Sequence, residues 1–299
     1  MRYSIRLYVA PLAACATLAA CSQSSPNAKT ADSTSTTAAA PAPAPAAPNV
    51  LTITATDYAF DAPAQIPAGY TTIRVIDKGR EPHQAALMRL EQGKTFADFA
   101  AALKAAKPDA PPPPWIVDAG GPNPPMPNGT AETIQNLAPG TYAIVCFVPS
   151  PDGTPHIAKG MMRELTVTPS AAAAGAAPPN ADASVTLADY TFTTSAPLTP
   201  GHHLVRVTNS GPQPHEVVLI HLEPGKSGSD FAKWVMAMKG PPPGALEGGV
   251  APIAPGDTAY FPADITPGKY AFICFVPDAK NGKPHVTHGM VRDFEVKGT

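Results

Sequence analysis

Gly140-Thr-Tyr-Ala-Ile-Val-Cys146-Phe-Val-Pro149 recurs later in the chain as Gly268-Lys-Tyr-Ala-Phe-Ile-Cys274-Phe-Val-Pro277. In both copies a Pro-Gly turn opens a run of apolar, β-branched and aromatic residues that leads to a cysteine. A run of this kind, bounded by turn residues, is typical of a buried β-strand. Its recurrence indicates that one structural unit is used twice.

The match between the two halves extends well beyond these strands. Its offset is 132 residues at first, 128 at the cysteine stretch and 129 after it. The other matching segments are Asp57-Tyr58-Ala59-Phe60 with Asp189-Tyr190-Thr191-Phe192, His83 with His215, Asp98-Phe99 with Asp230-Phe231, Pro155-His156 with Pro284-His285, and Gly160-Met161 with Gly289-Met290. We therefore predict two domains of one fold, residues 49–168 and 184–299, joined by an Ala/Pro-rich linker over 169–183.

Each unit has the pattern of an all-β domain. Alternating apolar residues in Leu51–Ala55, Thr72–Ile76 and Leu204–Thr208 predict half-buried strands, and Pro-Gly turns separate the runs. Short strands at regular spacing favour an antiparallel β-sandwich. One short helix per unit is predicted before the cysteine strand, over Phe96–Ala106 behind the N-cap Thr95 and over about Ser229–Lys239.

The composition narrows the function classes. The 299 residues carry 21 Lys and Arg against 23 Asp and Glu, which gives a net charge of −2. No basic field is available to bind nucleic acid through its phosphates, so we expect no nucleic-acid partner. The 39 prolines disfavour long helices and an α/β sheet with regular crossovers.

The N-terminus is interpreted as a signal peptide over residues 1–20. Its apolar run, Leu7–Ala20, follows two arginines and is too short to span a bilayer. The run ends in Leu18-Ala19-Ala20-Cys21, which resembles the bacterial lipobox, and the resemblance implies that Cys21 is the lipidated first residue of the mature protein. Residues 21–48 then form an Ala/Pro-rich tether, and the serine after the cysteine suggests the outer membrane. The alternative is an ordinary secretory signal with an incidental cysteine.

Two cysteines remain, one in each half. An exported protein usually pairs its cysteines, but neither half holds two. Each half instead has an ordered set: a histidine at a strand start, a cysteine at a strand end, a second histidine in the next loop and a methionine five residues later. The sets are His83, Cys146, His156 and Met161, and His215, Cys274, His285 and Met290. Two imidazoles, a thiolate and a weak thioether form the ligand set of a blue-copper site, so we predict one copper ion per domain.

At these residues the chain resembles the cupredoxins, the family of plastocyanin and azurin. Asn209–His215 looks like the family's strand before the first His ligand, and Tyr270–Cys274, Pro284-His285 and Gly289-Met290 look like its ligand loop. The resemblance implies a Greek-key β-sandwich in each half with a type 1 copper ion near one end. Lys78 stands where the second half has Asn209, and this departure and the longer loops leave the copper geometry and spectral type open.

Other interpretations of the same residues stay open. A cysteine at a strand end can be a small buried hydrophobe, and the methionines can be core residues. The sandwiches can also be ones that hold no metal. A disulfide between Cys146 and Cys274 would require equivalent interior positions of the two domains to touch.

The residues around the cysteines bear on enzymatic activity. Two fused cupredoxin domains also resemble multicopper oxidases and copper nitrite reductases, but no histidine flanks either cysteine and no His-x-His pair lies on a predicted strand. We therefore predict no enzyme, but a lipid-anchored periplasmic electron carrier that cycles between Cu(I) and Cu(II) with redox partner proteins. The alternatives are a periplasmic copper-handling protein and a metal-free interaction module.

Overall fold

A computed structural model of the chain describes residues 49–106, 111–171 and 177–298. The signal peptide predicted over 1–20, the anchor Cys21 and the tether up to residue 48 lie outside these residues, as do residues 172–176 of the predicted linker. Among the described residues, none of the helices has the length and apolar character needed to cross a membrane.

The described residues form mainly β-strands, with two α-helices and two 3₁₀ turns. The strands are β1 (Asn49–Thr56), β2 (Ala59–Asp61), β3 (Gln65–Pro67), β4 (Gly69–Asp77), β5 (Ala86–Leu90), β6 (Ile116–Asp118), β7 (Thr130–Leu137), β8 (Gly140–Val145), β9 (Met162–Thr168), β10 (Ala183–Ala188), β11 (Thr191–Thr194), β12 (Gly201–Asn209), β13 (His215–Leu222), β14 (Gly244–Ile253), β15 (Thr258–Ile265), β16 (Gly268–Ile273) and β17 (Val291–Val296). The helices are α1 (Phe96–Ala105) and α2 (Gly228–Ala237), and the 3₁₀ turns are His156–Lys159 and His285–His288.

Two sheets pack face to face in each half and enclose an apolar core. In the first half the sheets have the orders β7-β4-β1-β2 and β3-β9-β8-β5-β6, and in the second half β15-β12-β10-β11 and β14-β13-β16-β17. The predicted all-β class with two tandem β-sandwiches is confirmed. The alternation seen in the sequence appears directly as burial, since every second residue of β4 lies in the core.

The prediction of antiparallel pairing is wrong for three strand pairs, one of which is the parallel pair of β3 and β9 in the first half. β1 pairs in parallel with β4, and β10 pairs in parallel with β12. In the first half the chain leaves the sheet of β1 and β2, forms β3 at the edge of the other sheet, and then returns to the first sheet as β4. Because of this crossover, β4 runs beside β1 in the same direction. This crossover depends on pairing between distant strands, which no local pattern encodes.

Both predicted helices are present and lie before the cysteine strand. Thr95 caps α1 through a capping box, in which the Asp98 N–H donates to Thr95 Oγ1 at 3.1 Å. α2 begins at Gly228 because Ser227 forms the same box with Asp230. It ends at Ala237, earlier than predicted, because Met238 adopts a left-handed φ of 46°.

The two halves share both layers of the sandwich. β7 and β15 pair antiparallel and join two four-stranded sheets into one of eight strands. In the other layer, residues 119–125 lie between β5 and β14, and Pro122 faces Val250, its own counterpart at an offset of 128. The halves therefore meet about an approximate two-fold axis, and the predicted domain boundaries stay a prediction.

Candidate metal centres

Three predicted ligands of the first half meet in what we call the first centre. His83 Nδ1 lies 3.0 Å from His156 Nδ1, and Cys146 Sγ lies 3.4 Å from His156 Nδ1. All three side chains are fully buried. Their ligand atoms lie within 4.8 Å of one another, which is close enough for one ion to contact all three.

The second centre repeats this arrangement. His215 Nδ1 lies 3.0 Å from His285 Nδ1, and Cys274 Sγ lies 3.4 Å from the same atom of His285. These side chains are also fully buried. Across residues 49–106, 111–171 and 177–298, these two are the only groups of three or more His, Cys, Asp or Glu residues that could hold a metal ion.

One tight loop brings the cysteine, the second histidine and the methionine together. In the first half, Ile157 donates its N–H to the Cys146 carbonyl at 2.8 Å, and Met161 donates to the His156 carbonyl at 3.0 Å. Gly160 has a φ of 95°, a left-handed conformation that favours glycine, and it ends the 3₁₀ turn there. The second half contains the same turn, so the loop geometry belongs to the repeated unit.

The predicted axial methionines are buried beside the cysteines. Met161 and Cys146 belong to one core cluster, and Met290 and Cys274 belong to its counterpart. Each cysteine donates its N–H to the methionine carbonyl, at 3.3 Å and 3.2 Å respectively. Met162, the next residue, packs instead in the cluster on the helix side of the sheet.

Carboxylates behind the histidines of the first centre fix the orientation of their rings. His83 Nε2 lies 3.3 Å from Asp57 Oδ1, and His156 Nε2 lies 2.8 Å from Glu81 Oε2. An ionised carboxylate only accepts, so each Nε2 carries the ring proton and each Nδ1 presents a bare lone pair. Hydrogen bonds from Arg80 lower the pKa of Asp57 to about 2, which keeps that carboxylate ionised.

The facing nitrogens are a test of whether a metal fits. Two lone pairs at 3.0 Å, with a sulfur beside them, repel each other unless a cation lies among them. Imidazole nitrogens with a thiolate form a soft donor set that suits copper. The two buried His–Cys–His groups therefore fit two copper sites.

The second centre has a different outer environment. His215 Nε2 lies 2.9 Å from Asp189 Oδ1, the counterpart of Asp57. His285 Nε2, in contrast, is buried without a hydrogen-bond partner and lies 3.9 Å from Asp278 Oδ2. The counterpart of Glu81 is Gln213, whose side chain donates to Asp278 instead. The two centres thus have the same ligand types and differ in whether the second histidine donates a hydrogen bond to a carboxylate.

Burial favours the neutral form of most of these ligands when no cation is present. It raises the pKa of the Cys146 thiol to about 12 and that of Cys274 well above its ordinary value. It lowers the pKa of His156 and of His215, and burial together with the charge of His215 lowers that of His285 to about 4. A bound cation supplies the positive charge that stabilises the thiolate, so metal binding releases protons.

One comparison made from the sequence is wrong. The residue equivalent to Asn209 is Asp77, at the offset of 132, and not Lys78. Asp77 Oδ1 accepts the Gly79 N–H at 2.8 Å, as Asn209 Oδ1 accepts the Gly211 N–H at 2.9 Å. Both halves therefore build the same turn before the first histidine, with an aspartate in the first half where the second has an asparagine.

Sequence reasoning missed the carboxylates behind the ligands. Asp57 and Asp189 were visible as one of the matching segments, and their recurrence at the offset of His83 and His215 was the available signal. Glu81 had no such signal because its counterpart is Gln213. Two histidines outside the sets show different surroundings. His221 stacks on Tyr270 with the ring centroids 4.5 Å apart, whereas His288 lies in the turn that begins at His285, with its ring centroid 5.0 Å from that of Tyr190.

Solved structures of copper proteins are among the matches to this chain. An auracyanin from Roseiflexus castenholzii has 24% identity and a TM-score of 0.28, with 42% of this chain and 100% of that chain covered. The Blue Copper Oxidase from Nitrosomonas europaea has 16% identity and a TM-score of 0.24, with 83% and 84% covered. The copper nitrite reductase from the same organism has 14% identity and a TM-score of 0.22, with 84% and 94% covered.

No family model matches the chain, and no curated protein matches it. Because the structural likenesses have low TM-scores, the copper assignment depends on the convergence of the ligand atoms in the two centres.

Proposed function

We propose that this chain is an electron-transfer protein with two type 1 copper centres. The observation that carries the proposal is the pairing, in each half, of two imidazole Nδ1 atoms 3.0 Å apart with a buried cysteine sulfur 3.4 Å from one of them. Bound copper supplies a one-electron couple. Thiolate and thioether suit the reduced ion and imidazole serves both oxidation states, so one ligand set can hold both.

The protein keeps this ligand set rigid and dry. All six histidine and cysteine side chains are fully buried. Asp57 and Asp189 hold the rings of His83 and His215 in place through their Nε2 atoms. Ligands that are held in one arrangement before and after electron transfer need little reorganisation, which favours fast exchange.

We place the chain with electron carriers rather than with oxidases. Two observations support this: each half supplies one ligand group among the residues that the structure describes, and the cysteines lack flanking histidines. The proposed partners are redox proteins that dock from outside. The names of the blue copper oxidase and the nitrite reductase that are similar to this chain describe enzymes. Oxidase and nitrite reductase activity are therefore the results that would contradict the proposal. A steady-state assay of oxygen and nitrite consumption, with ascorbate as electron donor, should show no turnover above free copper.

The location is part of the same proposal. The lipobox-like Leu18-Ala19-Ala20-Cys21 and the tether that follows favour a lipid anchor, with the carrier on the periplasmic face of the outer membrane. Mass spectrometry of the protein purified from bacterial membranes should show acyl chains on Cys21. A Cys21→Ala variant should be released to the soluble fraction, and an unchanged membrane fraction would contradict the anchor.

The copper assignment is tested by anaerobic titration of the metal-free protein. Two equivalents should bind, with an intense visible absorption that ascorbate bleaches and an oxidant restores. Cys146→Ser and Cys274→Ser should each retain one equivalent and about half of the absorption. Stoichiometric binding without reversible redox change would favour a copper-handling protein, and no binding would leave only an interaction module.

A further inference from the structure

Residues 119–125 connect the two metal centres through a single buried side chain, Asn123. This segment lies between β5 of the first half and β14 of the second, and Asn123 is 1% exposed. Its backbone N–H donates to Gly249 at 3.3 Å. A polar side chain with so little exposure needs hydrogen-bond partners, and its partners belong to both halves.

The contacts of Asn123 fix which way its amide points. Nδ2 donates to the carbonyls of Val217 and Val250, each at 2.9 Å. Backbone carbonyls only accept, so the NH₂ group faces the second half and Oδ1 faces the first. Oδ1 accepts from Gln84 Nε2 at 3.4 Å. Asn123 is therefore the middle of a hydrogen-bonded chain from Gln84 to Val217.

Both ends of this chain lie next to metal ligands. Gln84 directly follows His83, and its Oε1 accepts the N–H of Phe147, the residue after Cys146, at 3.2 Å. Val217 is two residues after His215 on β13. The link from His83 to His215 consists only of covalent bonds and two hydrogen bonds, without a gap between unbonded side chains.

We propose that Asn123 carries an internal electron-transfer route, so that the two centres exchange electrons within one molecule. The inference depends on the proposed function. One electron leaves the reduced centre in one half and reduces the oxidised centre in the other, and no proton or atom moves. Electronic coupling decays more slowly through covalent and hydrogen bonds than across van der Waals gaps, and the Asn123 amide removes such gaps at the interface.

The approximate two-fold symmetry does not supply a second bridge of this kind. The counterpart of Asn123 is Ala251, whose side chain has no polar atom. The counterpart of Gln84 is Glu216, whose Oε1 accepts from the N–H of Phe275 at 2.8 Å. The second half therefore supplies no second side-chain bridge, although backbone hydrogen bonds such as that from the Ala251 N–H to the Gly121 carbonyl at 2.8 Å also cross the interface. Removal of the one amide should slow the exchange without abolishing it.

The test measures internal electron exchange in the full copper-loaded chain after a short pulse of a reducing radical. A Met161→Gln substitution, present in every sample, changes the axial ligand of the first centre and so separates the two absorption signals. In this background we expect a phase whose rate does not depend on protein concentration. Asn123→Leu should slow it by an order of magnitude or more and leave the reduction potentials of both centres unchanged.

Gln135→Leu is the matched control. Gln135 is buried at the same interface, and it bonds Gly121 at 2.9 Å and the Ala119 carbonyl, two groups of the same segment. Gln135 forms no hydrogen bond with Gln84 or Val217. The Gln135→Leu substitution therefore weakens the interface but leaves the hydrogen bonds of Asn123 in place. Exchange in Gln135→Leu should stay close to that of the parent.

A second measurement does not need copper. In the metal-free protein, the side-chain NH₂ of Asn123 should give two NMR signals that exchange slowly with solvent, because both protons are donated to buried carbonyls. Fast exchange would remove the bridge and overturn the inference. So would equal rates in the Asn123→Leu and Gln135→Leu samples, or no concentration-independent phase while both centres are reduced. A chain that binds no copper would refute the proposed function itself.

Discussion

Replacement of Glu81 by glutamine should weaken copper binding at the first centre and leave the second unchanged. His156 Nε2 donates to Glu81 Oε2 at 2.8 Å, and this bond makes the ligand nitrogen more basic. Burial is the largest single effect and opposes ionisation of Glu81, but the hydrogen bonds from His156, Ser150 and Tyr58 together outweigh it and lower the pKa of the carboxyl. Loss of such a partner typically costs about 10- to 100-fold in metal affinity, which is about 1.4 to 2.8 kcal/mol. Glutamine keeps an accepting oxygen, so we expect the lower end of this range.

The assay is competition for Cu(II) against a chelator of known affinity, in the Cys274→Ser background, where only the first centre remains. The matched control is Asp278→Asn in the Cys146→Ser background, because Asp278 Oδ2 lies 3.9 Å from His285 Nε2 and accepts no hydrogen bond from it. The control should change affinity less than Glu81→Gln does. An unchanged affinity in Glu81→Gln, or an equal loss in the control, would refute the role given to this hydrogen bond.

Three further predictions concern the first half. Gly79→Ala should cut copper content from two equivalents toward one, because the added Cβ would lie 2.2 Å from His83 Nε2; full occupancy by metal analysis would contradict this. Burial raises the pKa of Asp118 from 3.8 to about 7, so the folded state binds more protons than the unfolded state between these values and stability falls as pH rises. Asp118→Asn should then raise the free energy of unfolding at pH 8 by at most about 4 kcal/mol, with little effect at pH 4, as measured by urea denaturation. Tyr142→Phe removes the hydrogen bond to the Ala138 carbonyl at 2.8 Å and should cost about 1 kcal/mol in the same assay, without changing the visible spectrum.

The strands and helices were readable from sequence wherever one face is buried and the other is not. Over residues 72–75 of β4, polar and apolar residues alternate in the sequence, and half-buried and buried residues alternate in the structure at the same positions. The helix bounds were less secure because several residues could cap α2. Ser227 and Ser229 both precede an apolar run, and only the bonds between Ser227 and Asp230 select the first.

The contact between the two halves had no sequence signal. Residues 119–125 bind β14 mainly through backbone groups; for example, the Ala251 N–H donates to the Gly121 carbonyl at 2.8 Å. Backbone pairing between segments produces no periodic side-chain pattern in the sequence. The sequence of β7, for example, gives no sign that this strand also pairs with β15. The sequence thus predicted two similar units and could not show that they share both layers.

The predicted ligands recur in both halves, whereas an acid and an amide behind them have exchanged positions. In the first half an acid, Glu81, contacts the second histidine and an amide, Gln84, holds the N–H after the cysteine. In the second half the amide is Gln213 and the acid is Glu216, which holds the N–H after Cys274. The second histidine therefore donates a hydrogen bond to a carboxylate in the first centre and to none in the second. Outer-shell charge and hydrogen bonds to the ligands tune a metal's potential, so the two centres should differ in reduction potential. That difference would give a preferred direction to electron exchange through Asn123, which two identical centres could not have.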